Sequence, residues 1–193
     1  MSRLIVGISG ASGAIYGIRL LQVLHDNTDI ETHLIMTAAA RQTITLETDW
    51  KPRDVEALAS VSHRPNDIAA SISSGSFEVD GMIVVPCSVR TLGGIAMSLN
   101  DNLLIRAADV TLKERRPLVI ALRETPLHVG HLRSMAAVAD MGATLAPLMP
   151  SFYARPKTLD DLIDQSVGRL LDQLHVKLPI ELVDRWDGPR SAS

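Results

Sequence analysis

Gly7-Ile8-Ser9-Gly10-Ala11-Ser12-Gly13-Ala14 is the stretch on which the reading of this chain turns. The residues before it are apolar, so Leu4–Ile8 reads as a buried parallel strand. The residues after it alternate with helical spacing, so Ala14–Leu24 reads as a helix. A strand, a turn of small residues and a helix present free backbone N–H groups and a positive helix end to an anion. Glycine permits a tight turn and close approach of the backbone to a ligand, and Ser9 and Ser12 add hydroxyl donors. The stretch therefore reads as the phosphate or flavin cradle of a nucleotide-type site.

Working outward, strands and helices alternate. Strands are expected at Thr32–Met36, Gly81–Val85, Leu118–Leu122 and Thr144–Ala146. Helices are expected at Ala38–Leu46, Thr91–Leu99, Leu103–Glu114, Leu132–Met141 and Leu159–Leu174. Lys51–Arg53 reads as a break, Val55–Leu58 as a short helix and 60–77 as polar and irregular. This alternation predicts a single α/β domain spanning 1–193, a doubly wound parallel sheet of Rossmann-like or flavodoxin type, with a polar tail from about residue 179. Such sheets bind ligands beyond the carboxyl ends of their strands. The residues that follow the strands are Ser9-Gly10, Thr37, Cys87-Ser88, Arg123-Glu124 and Pro147 onward. Loops favour Ser, Thr and Gly in any case, but several strand ends delivering them to one edge favour a site.

Composition narrows the function class. Apolar residues make up 46% of 193 residues and the mean hydropathy is +0.15. No apolar run reaches the roughly 18–20 residues of a membrane span, and Met-Ser-Arg-Leu-Ile-Val lacks the layout of a signal peptide. The excess apolar surface is expected in subunit interfaces. A net charge of −3 implies no nucleic-acid surface. A single cysteine, Cys87, rules out an internal disulfide framework and fits a reducing cytoplasm.

Individual residues carry competing readings. No Lys-Ser/Thr follows Gly13, so the loop is not a Walker motif. The second strand ends in Thr37 with no carboxylate for a ribose, which favours a mononucleotide over a dinucleotide; Thr37 is equally a plain helix N-cap. Ser88 and Thr91 open another helix on the same edge. Cys87 has the chemistry of a nucleophile, but no histidine lies near it in sequence, so a buried inert thiol is preferred. Arg123-Glu124 can bind a phosphate and move a proton, or form a salt bridge at the sheet edge. Lys113, in Leu112-Lys113-Glu114-Arg115-Arg116, suits a helix end or a site. Tyr153 follows Phe152 in a loop, and Arg169 lies in an apolar helix, where burial would require a partner. His128 and His131 are three apart, but no third ligand stands at a suitable spacing, so a metal-free reading is preferred. His25, His33, His63 and His175 read as surface or helix-edge residues.

Taken together, the chain resembles the flavin prenyltransferase (UbiX-like) family. The matching segments run nearly end to end: Gly10-Ala11-Ser12-Gly13-Ala14, Leu46-Glu47-Thr48, Ser74-Gly75-Ser76, Pro86-Cys87-Ser88, Arg106-Ala107-Ala108-Asp109-Val110 with Leu112-Lys113-Glu114, Arg123-Glu124 with Pro126, and Phe152-Tyr153 with Pro156. The chain departs from the family pattern at His131-Leu132-Arg133-Ser134, where members often read His-Leu-Glu-Asn, and at Ile68, where some place an aromatic.

The resemblance implies a cytoplasmic, metal-independent transferase. Such an enzyme joins the dimethylallyl group of dimethylallyl phosphate to N5 and C6 of reduced FMN, for use by a UbiD-type decarboxylase, and typically assembles as a dodecamer. By position it implies FMN contacts at Gly10, Ala11, Ser12, Thr37, Ser88, Val89, Arg90, Thr91 and Arg123. It implies donor contacts at Lys113, Arg123, Glu124, Tyr153 and Arg169, some of them supplied by neighbouring subunits. Catalytic roles fall to Glu124, Glu47, Ser12 and Lys113. Two alternatives stand beside it: a flavoprotein that decarboxylates cysteine, and a non-catalytic FMN-binding subunit of a hydroxyarylic acid decarboxylase.

Overall fold

The computed structural model describes residues 2–183, 185, 186 and 188. Six strands form one parallel sheet: β1 (Arg3–Ile8), β2 (Glu31–Met36), β3 (Val61–His63), β4 (Gly81–Cys87), β5 (Leu118–Leu122) and β6 (Thr144–Leu145). Their order is β3-β2-β1-β4-β5-β6. Progress outward from β1 in one direction, then from β4 in the other, is double winding, and it opens a crevice where the carboxyl ends of β1 and β4 diverge. Among the described residues seven α-helices cover the sheet: α1 (Ala14–Asn27), α2 (Ala38–Glu47), α3 (Pro52–Ala57), α4 (Val89–Ala96), α5 (Leu103–Lys113), α6 (Val129–Asp140) and α7 (Leu159–Gln173).

The alternation of side chains across a strand divides the interior into two cores. Leu4, Val6 and Ile8 of β1 join α1 and α7 residues such as Ile18, Leu21, Val167 and Leu171 on one face. Ile5, Met82 and Val84 join Leu92, Leu104 and Ala108 on the other. Full burial of such side chains contributes about 1.5–3 kcal/mol each. Strands covered on both faces need unbroken apolar runs, which is why β1, β4 and β5 were legible as strands. No helix is long and apolar enough to cross a membrane among the described residues.

Four expectations are corrected. Val61–His63, expected to be irregular, is a strand paired in parallel with β2; it is short and half-exposed, so it lacks an apolar signature. Lys51–Arg53 is no break, because Pro52 opens α3 at a position where its missing N–H is not needed. β4 extends through Cys87, and α4 begins at Val89 and ends at Ala96. His33 is buried, with 3% exposure. Its Nδ1 lies 2.9 Å from Nε2 of His63, and its Nε2 lies 2.9 Å from Glu31.

The tail is not uniformly polar where it is described. Val183 is buried and packs where a Cβ on Gly168 would come within 2.3 Å of it. Residues 184, 187 and 189–193 of the expected tail lie outside the described residues.

Candidate active site

A cleft of about 450 Å³ opens at the carboxyl ends of β1, β2, β4 and β5. It is lined by Gly10, Ala11, Ser12, Thr37, Ser88, Val89, Arg90, Thr91, Arg123 and Glu124. Sequence positions more than a hundred residues apart thus meet on one surface because each follows a parallel strand. Leu99, Asp101, Asn102 and Ile105, which were not among the expected site residues, also line the cleft.

Two helices begin on this cleft. The Thr37 hydroxyl accepts from the Ala40 N–H at 3.1 Å and caps α2. The Ser88 hydroxyl accepts from the Thr91 N–H at 3.3 Å and caps α4. Each cap satisfies one N–H of its first turn, and the remaining N–H groups with the helix dipole favour an anion. Gly10 closes the gap between the β1 loop and α2: a Cβ there would stand 2.3 Å from that of Ala39. No larger residue leaves this floor of the cleft open.

Ser9 does not act as a free donor to the cleft. It is buried; its hydroxyl donates to the Pro86 carbonyl at 3.0 Å and accepts from the Ser88 N–H at 2.7 Å. It ties the ends of β1 and β4 together beneath the site. Ser12, by contrast, is exposed. Gly13 adopts a left-handed conformation, φ 92°, that glycine accommodates without strain, and caps α1 with no side chain of its own. The Glu47 carboxylate, from the last turn of α2, accepts its N–H at 2.8 Å. Glu47 therefore stands at the positive end of α1 and against the glycine loop.

The charged residues are distributed over three places. Arg123 and Glu124 reach the cleft from the end of β5, and the salt bridge weighed for them is absent among the described residues. Tyr153 and Arg169 meet in a separate cleft of about 370 Å³ beyond β6, with Pro147, Met149, Ser151 and Gln165. Arg169 is exposed rather than buried, and pairs with Asp172 at 2.7 Å. Lys113 lies at the opposite edge of the sheet. It ends α5, contacts Glu114, and stands beside Gly75 and the turn that leads into β5. One chain does not bring Lys113 to Arg123.

Cys87 is fully buried, and burial pushes its thiol far above the ordinary range, which fits an inert side chain. The His128 and His131 rings lie tilted against each other with centroids 3.7 Å apart, and His128 Nδ1 accepts from the Gly130 N–H to cap α6. Among the described residues no three His, Cys, Asp or Glu side chains converge as metal ligands.

The Flavoprotein family model matches residues 1–171. The chain is 64% identical over 188 residues to the flavin prenyltransferase UbiX of Escherichia coli (strain K12), covering 97% of this chain and 100% of that protein. It superposes with a TM-score of 0.94 on AnUbiX, solved in complex with FMN and dimethylallyl pyrophosphate, at 48% identity and with 98% and 99% of the two chains covered. A dodecameric FMN-dependent UbiX-like decarboxylase from Escherichia coli O157:H7 gives 0.93 at 51% identity, covering 96% of this chain and 100% of that one. A single doubly wound domain, a strand-end cleft framed by two capped helices, and identity sustained over almost the whole length make one case: the chain belongs to the UbiX flavin prenyltransferase family of flavoproteins.

Proposed function

We infer that this protein is a flavin prenyltransferase, which joins the dimethylallyl group of dimethylallyl phosphate to N5 and C6 of reduced FMN. The observation that carries the reading is the meeting of the Thr37 and Ser88 caps, the Gly10 floor, Arg123 and Glu124 in one cleft at the sheet switch point.

The cleft suits FMN. The first turn of α2 at Thr37 offers backbone N–H groups and a dipole end to the terminal phosphate. The close packing of Gly10 on Ala39 makes a floor of backbone against which a flat ring system can lie. Ser88, Val89, Arg90 and Thr91 form the opposite wall, and Ser12 lies where the reactive edge and the donor meet. When bound, the reduced flavin supplies the two nucleophilic atoms, N5 and C6.

The chain's own residues position the reactants, stabilise charge and move protons. Cleavage of the allylic C–O bond transfers the carbon to the flavin and the bonding electron pair to phosphate oxygen. Arg123, Arg169, Lys113 and the Tyr153 hydroxyl are the donors for that growing charge. Glu124, adjacent to Arg123, is assigned to the proton traffic at the departing phosphate; the bond to C6 would form at the expense of the prenyl double bond, whose other carbon takes up a proton as C6 gives one up, and Glu124 or Glu47 is assigned to that exchange. Holding the allylic carbon against N5 replaces activation by a metal with positioning.

Within one chain Lys113 and the Tyr153–Arg169 pair both lie apart from the Arg123 cleft, so the complete site requires a further copy of the chain. Exposed apolar side chains, among them Leu46 at 84%, Met97 at 71% and Met149 at 72%, provide surface for such an assembly. A dodecamer, a cytoplasmic location and delivery of the product to a UbiD-type decarboxylase complete the reading. The experiment is incubation with reduced FMN and dimethylallyl phosphate, with the mass of the flavin as the readout.

A further inference from the structure

The sequence reading gave the end of the chain no role. The described part of it nevertheless lies against two of the residues assigned to the donor phosphate, Tyr153 and Arg169. Asp172 on α7 accepts from Arg169 Nη1 at 2.7 Å and from Arg185 Nη1 and Nη2 at 3.1 and 2.9 Å. Two guanidiniums from different parts of the chain are therefore gathered on one carboxylate. The Trp186 ring meets Tyr153 edge to face, with centroids 6.1 Å apart. Tyr153, Arg169, Val183, Arg185 and Trp186 line an open cleft of about 710 Å³.

The tail is held there by a specific contact. Glycine inside a helix costs about 1 kcal/mol relative to alanine, yet α7 carries Gly168 immediately before Arg169. Val183 occupies the notch that Gly168 leaves, which fixes the chain two residues before Arg185.

Asp172 is held well below the usual carboxylate range, chiefly by the Arg185 hydrogen bond, so it stays ionised and keeps both cations in place. Glu181 also acts on Arg185 through space, but it is not hydrogen-bonded to either guanidinium among the described residues. A guanidinium carries five N–H donors. Arg169 uses one side of its fork on Asp172, and both cations are exposed, at 53% and 67%.

We propose that the carboxy-terminal tail is part of the donor site: Arg185 supplies a second guanidinium for the donor phosphate beside Arg169, and Trp186 covers Tyr153 against water. Asp172 is the positioning residue that holds the two arginines together on one carboxylate. The proposal rests on the prenyltransferase reading for the identity of its ligand, an allyl phosphate. Its physical content, an anion site built by the tail, stands apart from catalysis.

Two readouts keep these separable. In steady-state assays with the full chain, Arg185→Ala raises KM for dimethylallyl phosphate about tenfold, the loss of one charge-assisted contact, and leaves KM for FMN unchanged. Arg185→Lys recovers part of the loss, and Gly168→Ala, which removes no charge but displaces Val183, reproduces the rise. An unchanged donor KM in Arg185→Ala and Gly168→Ala overturns the proposal, as does an equal loss of FMN affinity in both. The second readout is Trp186 fluorescence in a Trp50→Phe background, titrated with inorganic phosphate. A saturable change that Arg185→Ala abolishes is expected even if no prenyl transfer occurs. Absence of any saturable change overturns the tail site, whatever the enzyme catalyses.

Discussion

The Glu47 carboxylate accepts the backbone N–H of Gly13 at 2.8 Å, which couples the end of α2 to the loop that opens α1. Gly13 has no side-chain cap of its own, so this acid does the work of one. It also places a carboxylate next to Ser12 at the cleft. Glu47→Gln keeps an acceptor for Gly13 and removes the charge; it is expected to retain FMN but slow prenylation about tenfold or more. Glu47→Ala removes both and is expected to weaken FMN binding as well, by about tenfold. Flavin fluorescence titration paired with product mass measurement distinguishes the two variants.

Gly10→Ala is expected to damage both the fold and the cleft. Its Cβ would lie 2.3 Å from that of Ala39, so β1 and α2 must part. Overpacking of this kind costs about 1–3 kcal/mol, and the displaced backbone disturbs the floor of the FMN cleft. Equilibrium unfolding should show the loss of stability, and FMN titration a loss of affinity larger than that in Glu47→Ala.

Acid sensitivity has a defined origin in the His33–His63 pair. Burial, followed by the proximity of His33, lowers the pKa of His63. The folded state therefore favours neutral His63, and the unfolded chain binds the proton first as pH falls below about 6.5. Stability is full above that pH and is lost as pH drops through the window beneath it. The carboxylates held low, Asp80 by Ser2 and Asp172 by Arg185, have the same sign but act only below their ordinary range near pH 4. Thermal unfolding between pH 7.5 and 5 should thus show a falling Tm in the parent and a flatter profile in His63→Gln.

The alternation of elements and the residues at strand ends were legible because both follow from local rules: apolar runs make buried strands, and parallel winding sends every strand end to one edge. Thr37 and Ser88 could be placed as caps for the same reason. β3 was missed because three half-exposed residues carry no periodic signal; only pairing with β2 makes them a strand. The burial of His33 was missed because its partners, His63 and Glu31, are assembled by that pairing. Ser9 looked like Ser12 in sequence, and only the packing of β1 against β4 separates a buried brace from an exposed hydroxyl. The tail read as polar because its contacts to Asp172 and Tyr153 span sequence separations that no local pattern reports.

Glu124 reaches the cleft beside Arg123, and one of its carboxylate oxygens accepts the Thr125 backbone N–H at 3.0 Å, which leaves the other for proton transfer. Glu124→Gln is expected to bind FMN like the parent and to lower kcat for prenylation by about a hundredfold or more. An unchanged kcat would assign Glu124 a structural role only.

Prenyl transfer is tested most directly by the mass of the flavin recovered after the purified protein meets reduced FMN and dimethylallyl phosphate without added metal. The expected result is a flavin heavier by one prenyl group, formed together with one equivalent of free phosphate. Recovery of unmodified FMN with the donor intact would contradict it.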